Sequence, residues 1–168
     1  INVFLEFSRT KKLDFHSLLF LDTKLQMPNL ESQVKLLSMH DFTQINLVGL
    51  EQSRSPVVNI EIEFKVIWAL EIFLEMLKRQ DSHKNSTYEQ RREIFSIQIS
   101  FWTEYLKQNQ INCVFFSTCP HEVIDFSLYL VAKALEIEVI ILQDNHVLGR
   151  KIAVDHIFAP WNSIIGND

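Results

Sequence analysis

The stretch Thr118-Cys119-Pro120-His121-Glu122-Val123-Ile124-Asp125 gathers more reactive side chains than any other part of the chain. An imidazole is suited to general acid–base work because it titrates near neutral pH. His121 and Asp125 stand four residues apart, one helical turn, so on a helix they share a face, and a carboxylate there would orient the ring. Glu122 would point about 100° away on the same spacing. The competing reading is capping, in which acidic residues in a first turn complement the helix dipole by tenths of a kcal/mol. For Glu122 and Asp125 taken singly, capping is the stronger reading; for His121 the two are evenly matched. His121-Glu122-x-x-Asp125 also resembles a zinc-binding HExxH with its last histidine replaced, but no third ligand stands at metal spacing, so no metal site is assigned. Cys119 at a helix start has the position of a low-pKa nucleophile, although most cysteines so placed are structural.

These residues need elements to hold them. Asn112-Cys113-Val114-Phe115-Phe116 is almost wholly apolar, as a strand covered on both faces should be. Pro120 suits a first helical position, which needs no amide partner. A helix over 121–135 follows, with Val123, Ile124, Leu128, Val131, Ala132 and Leu135 apolar, and Val139-Ile140-Ile141-Leu142 is the next strand. Strand, helix, strand in that order predicts a parallel pair. Gln143-Asp144-Asn145-His146 then lies at the same sheet edge as His121, where open parallel sheets bind ligands, and Arg150 follows as a partner for phosphate or carboxylate.

The first half of the chain reads less sharply. Ser17 to Asp22 is a short buried strand, Leu30 to Met39 a short helix, and Gln44 to Leu50 a second strand. A long helix is expected from Ile60 to Gln80, with Ile62, Val66, Ala69, Leu70, Phe73 and Leu77 as its stripe. A second opens at Thr87, where Thr87 and Gln90 make a capping-box pattern, and ends near Asn109. The two form an inserted helical hairpin whose Trp68, Phe73, Phe95 and Trp102 should be buried. Ile157-Phe158-Ala159 is a candidate for a final strand.

The bulk numbers bound the function. The chain has 168 residues and 47% hydrophobic content, which suits a single packed domain over 1–168. A net charge of -5 does not indicate a nucleic-acid surface. Two cysteines, Cys113 and Cys119, make no disulfide framework and fit a reducing, cytoplasmic compartment. No stretch is apolar for the length of a membrane span, and no secretory signal precedes Glu6. The three glycines, Gly49, Gly149 and Gly166, build neither a GxGxxG loop nor a Walker loop. The first residue is Ile, which reads as a fragment of a longer protein.

The segment from Tyr88 to Arg150 resembles bacterial capsule and surface-polysaccharide biosynthesis proteins of glycosyltransferase type. The likeness is carried by a helix with Tyr88 and Arg91, an apolar strand running into Pro120-His121-Glu122, then Asp125, Tyr129 and Ala132-Lys133-Ala134-Leu135-Glu136-Ile137. It implies an α/β fold with a Rossmann-like parallel sheet, flanking helices and the inserted hairpin, forming one GT-B-like half of a two-domain enzyme. It also implies a nucleotide-sugar donor and a glycan acceptor as partners, with no other cofactor. On that reading His121 and Asp125 are catalytic, and Glu122, Tyr129, Asn145 and Arg150 bind substrate. Two rivals stand beside it: a non-catalytic α/β interaction domain, which requires an exposed apolar patch between Val66 and Trp102, and a hydrolase or metal enzyme using His121 and Glu122.

Overall fold

A computed structural model describes residues 18–21, 34–37, 59–80, 85–145 and 150–157. The strands are β1 (Leu18–Leu21), β2 (Val34–Leu37), β3 (Cys113–Phe116), β4 (Glu138–Asn145) and β5 (Arg150–Val154). The helices are α1 (Ile60–Val66), α2 (Leu70–Lys78), α3 (Tyr88–Gln108) and α4 (Val123–Ala134). The fold is mixed α/β. The sheet order is β2-β1-β3-β4-β5. Pairings from β2 through β4 are parallel, and β5 runs antiparallel to β4, so the sheet is mixed and not wholly parallel.

The expected β3–α4–β4 unit is observed, with Cys113 opposite Glu138 and Phe116 opposite Ile141. Two features of it differ from expectation. The helix starts at Val123, which leaves Pro120 buried in the preceding loop and not at the first helical position. The strand after it continues through Gln143 and Asp144 to Asn145, because β5 pairs with that polar segment, Asn145 facing Arg150. Arg150 therefore begins a strand, and Ile157, expected in one, lies in a turn. Val34–Leu37, expected to be helical, is strand β2. Four residues, three of them apolar, fit either period, and in-register pairing with Leu18–Leu21 decides it. The strand expected at 44–50 lies outside the described residues.

The expected helix over 60–80 is broken by a 3-10 turn, Ile67–Ala69. Asn59 caps α1, its Oδ1 accepting the Ile62 N–H at 3.2 Å. In a 3-10 turn side chains three apart eclipse, so Val66 and Ala69 both turn inward. Trp68, about 200° round the helix from Val66, faces outward and is 57% exposed, against the expectation that it packs inside, whereas Trp102 is fully buried. Phe73 of α2 meets Phe95 of α3 edge-on at 5.0 Å. One continuous core joins all four helices to Val114, Phe116, Val139 and Ile141. Cys113, Phe115 and Ile140 alternate with these along the strands and are also buried.

α3 and α4 end alike. Ile111 N–H donates to Leu106 O at 3.0 Å and Gln110 N–H to Lys107 O at 3.1 Å; Ile137 donates to Ala132 at 2.9 Å and Glu136 to Lys133 at 3.1 Å. Each is a Schellman closure, with Gln110 (φ 51°) and Glu136 (φ 59°) in the left-handed region usually left to glycine. Ile111 and Ile137 follow at once and turn the chain towards β3 and β4. No described helix is long and apolar enough to cross a membrane.

Candidate functional site

The loop from Ser117 to Glu122 leaves the carboxyl end of β3 and enters α4. Its conformation is set by a carboxylate further along the chain. Asp125 reaches back so that Oδ2 accepts the His121 N–H at 3.2 Å and Oδ1 the Glu122 N–H at 2.7 Å. With Glu122 as the N-cap, this satisfies amides that the helix leaves unpaired. The same two amides are thereby withheld from an external anion.

The His121 ring is held by the main chain. Its Nδ1 lies 2.8 Å from the Cys119 carbonyl, an oxygen that can only accept, so Nδ1 carries the proton and Nε2 the lone pair. The side chain is 67% exposed. Nε2 stands 3.9 Å from Glu122 Oε1, and Nδ1 stands 3.9 Å from Asp125 Oδ2, both beyond hydrogen-bond reach. The Cys119 carbonyl thus fixes the ring, while Asp125 fixes the backbone that carries it. That anchor is a main-chain oxygen, a feature that no side-chain motif reveals.

The electrostatics follow from burial. The Asp125 carboxylate is 15% exposed, and burial pushes its pKa up to about 6 against the opposing pull of the His121, Glu122 and Phe126 amides and the His121 ring. Burial first, and the Asp125 charge second, raise the Cys119 thiol above its ordinary value. This is opposite to the direction a helix start alone would impose on a nucleophile.

The remaining predicted residues are distributed differently. Glu122 stands beside His121 and is exposed. Tyr129, one turn beyond Asp125, is buried in the core, stacked near Phe126 at 6.5 Å and edge-on to Phe116 at 6.4 Å. Burial raises its pKa against the opposing pull of the Ile157 amide. Asn145 and Arg150 are register partners across β4 and β5. Since Phe116 is level with Ile141, Asn145 lies four residues further along β4, roughly 13 Å beyond the end of β3. The structure therefore brings together Cys119, His121, Glu122 and Asp125, buries Tyr129 one turn further along α4 within electrostatic reach of Cys119, and sets Asn145 and Arg150 on a hairpin overhanging the same sheet edge. Among the described residues no three His, Cys, Asp or Glu side chains converge as a metal site would require. Comparison with family models, with curated proteins and with solved structures finds no match for this chain.

Proposed function

We propose that the chain is a Rossmann-like domain of a cytoplasmic glycosyltransferase that builds capsular or surface polysaccharide, with a helical hairpin inserted before β3. The observation that carries the reading is the His121 ring, anchored through Nδ1 at 2.8 Å and exposed at the mouth of the β3–α4 junction. The order β2-β1-β3-β4 supports it, because in doubly wound sheets the ligand crevice opens where strand order reverses, here between β1 and β3. His121 lies on the loop leaving β3.

In this reading Nε2 of His121 accepts the proton of an acceptor hydroxyl as that oxygen attacks the anomeric carbon of a nucleotide sugar. The bond from that carbon to the phosphate oxygen breaks, and its electron pair leaves with the nucleotide. Glu122 and Asp125 each have a carboxylate oxygen 3.9 Å from a ring nitrogen of His121, so negative charge stands beside the proton taken up. Asn145 and Arg150, on the overhanging hairpin, are the groups for the anionic donor. Replacing His121 by Gln should lower sugar transfer about 10²- to 10⁴-fold, the usual worth of a general base, with an unchanged melting temperature because the ring is exposed. Unchanged transfer in that variant overturns the reading.

One observation favours a second reading, an interaction domain. Ile60 and Phe64 are 77% and 79% exposed on one side of α1, with Ile67 beside them, and with Glu63 and Arg92 they line a groove of about 270 Å³. If that reading holds, the chain shows no sugar transfer, and Ile60→Ser with Phe64→Ser abolishes partner capture with an unchanged melting temperature.

A further inference from the structure

A second concavity lies against the far end of α4. Its volume is about 170 Å³, and Lys65, Val66, Trp68, Tyr129, Lys133 and His156 contribute to its wall. Lys133 stands eight residues beyond Asp125, roughly 12 Å along α4, and Lys65 and Trp68 come from a different part of the chain, so the cationic end of this cleft is a separate place on the molecule. We propose that this cleft binds a small anion carrying a single ring, the charged group between Lys65 and Lys133 and the ring against Trp68.

Charge carries the first half of the argument. The chain as a whole is at -5, yet the residues lining this cleft supply two ammonium groups and an imidazole, while Glu61, paired with Lys65, and Asp155, whose charge acts on Tyr129, stand outside that lining. Each lysine also stands in the last turn of its own helix, Lys65 on α1 and Lys133 on α4, where a cation complements the dipole. That accounts for one lysine on each helix. It does not account for both facing one concavity. Their present partners are weak and wet: Lys65 Nζ makes an exposed pair with Glu61 at 3.3 Å, and Lys133 Nζ stands 3.5 Å from the Asp155 carbonyl. An entering anion competes with water-screened contacts, not with buried ones.

Shape carries the second half. Trp68, in the 3-10 turn, faces outward beside the two lysines, a large aromatic 57% exposed at the rim. Exposed indoles next to cationic groups offer a ring a flat apolar wall while its charged substituent stays in reach of a donor. The buried Tyr129 lies beneath the cleft, with the His156 ring edge-on at 6.1 Å. A space of about 170 Å³ is close to the roughly 150 Å³ cavity that accepts one benzene, so one six-membered ring fits and two do not.

Titration of the whole chain with phenyl phosphate, glucose 1-phosphate, inorganic phosphate and benzyl alcohol, followed by tryptophan fluorescence and by calorimetry, tests the proposal. The expected result is saturable binding of phenyl phosphate or glucose 1-phosphate, and the stronger of the two tells whether the ring is aromatic or a sugar. Inorganic phosphate and benzyl alcohol should each bind at least tenfold more weakly. Lys65→Ala with Lys133→Ala should weaken the ring-bearing anion at least tenfold, and Trp68→Ala should do the same in the calorimeter; all three side chains are at the surface, and unchanged melting temperatures confirm intact variants. Absence of saturable binding by either ring-bearing anion overturns the proposal. So does binding that persists unchanged in the lysine or tryptophan variants, or that is matched by benzyl alcohol.

Discussion

The indole Nε1–H of Trp102 donates to the Ser127 hydroxyl at 3.1 Å, tying the middle of α3 to the helix that opens at the candidate site. The Ser127 oxygen also lies 2.7 Å from Gln98 Oε1 and 2.8 Å from the Ile124 carbonyl, to either of which its single proton can be given. Trp102, Gln98 and Ser127 are all buried. Ser127→Ala therefore strands a buried indole N–H and removes a donor from Gln98. It should cost about 1–3 kcal/mol, read as a fall in the urea midpoint with an unchanged slope. A loss below about 0.5 kcal/mol would mean that the network is not formed in solution.

Stability should respond to pH through Asp125. Its folded pKa of about 6 lies above the ordinary carboxylate value near 3.8, so the folded state holds that proton more tightly than the unfolded chain does. The group's contribution is full below about pH 4 and is lost as pH rises through about 6. At about 1.36 kcal/mol per pKa unit the loss is on the order of 2–3 kcal/mol. The stability difference between the parent and Asp125→Asn should drift by that amount, against the parent, between pH 4 and pH 6. A constant difference across that window would place the Asp125 carboxyl in water.

Both thiols should be sluggish. Burial, with the Glu138 charge second, pushes Cys113 up to about 12, and Cys119 is also raised. Iodoacetamide at pH 7 should label neither cysteine appreciably in the folded chain and both in denaturant, as mass spectrometry would read. Fast labelling of Cys119 in the folded state would restore it as a candidate nucleophile.

Gln110 and Glu136 hold left-handed backbone without the freedom of glycine. The conformation costs a side-chain-bearing residue about 1–2 kcal/mol, part of which glycine returns through greater unfolded-state entropy. Gln110→Gly and Glu136→Gly should each raise stability by up to about 1 kcal/mol, and together nearly additively, since they close different helices. Destabilisation by both would show that these helix ends do not close as Schellman motifs.

How far the sequence could be read depended on whether neighbours in the chain or neighbours in space decide a segment. β3, α4 and β4 were legible because each carries its own signal: a run buried on both faces, an apolar stripe, and a second run. The Thr87 and Gln90 capping box was likewise local, and it is present with Oγ1 3.3 Å from the Gln90 amide and Oε1 2.8 Å from the Thr87 amide. Val34–Leu37 was misread because its partner is β1, outside any local window. Trp68 misleads because its large apolar area argues for burial, whereas its place two residues after Val66, about 200° round a helix, is opposite the buried stripe. At the candidate site the closeness of His121 and Asp125 was legible from spacing. The division of labour was not, since it depends on a carbonyl oxygen and on which amides a carboxylate turns to meet.

The pairing of Leu18 with Cys113 sets a timetable for synthesis. β1 emerges from the ribosome long before β3 has been translated, and at 5–20 residues per second the wait is roughly 5–20 s. Throughout it, the edge of β1 that will face β3 has no partner, although β2 follows soon enough to cover the other edge. The β4–β5 hairpin, by contrast, closes locally, and β3 joins β4 across one short helix. The nascent chain thus reaches its last strands with the centre of the sheet still open, and docking of β1 against β3 is the long-range closure expected to limit the folding rate.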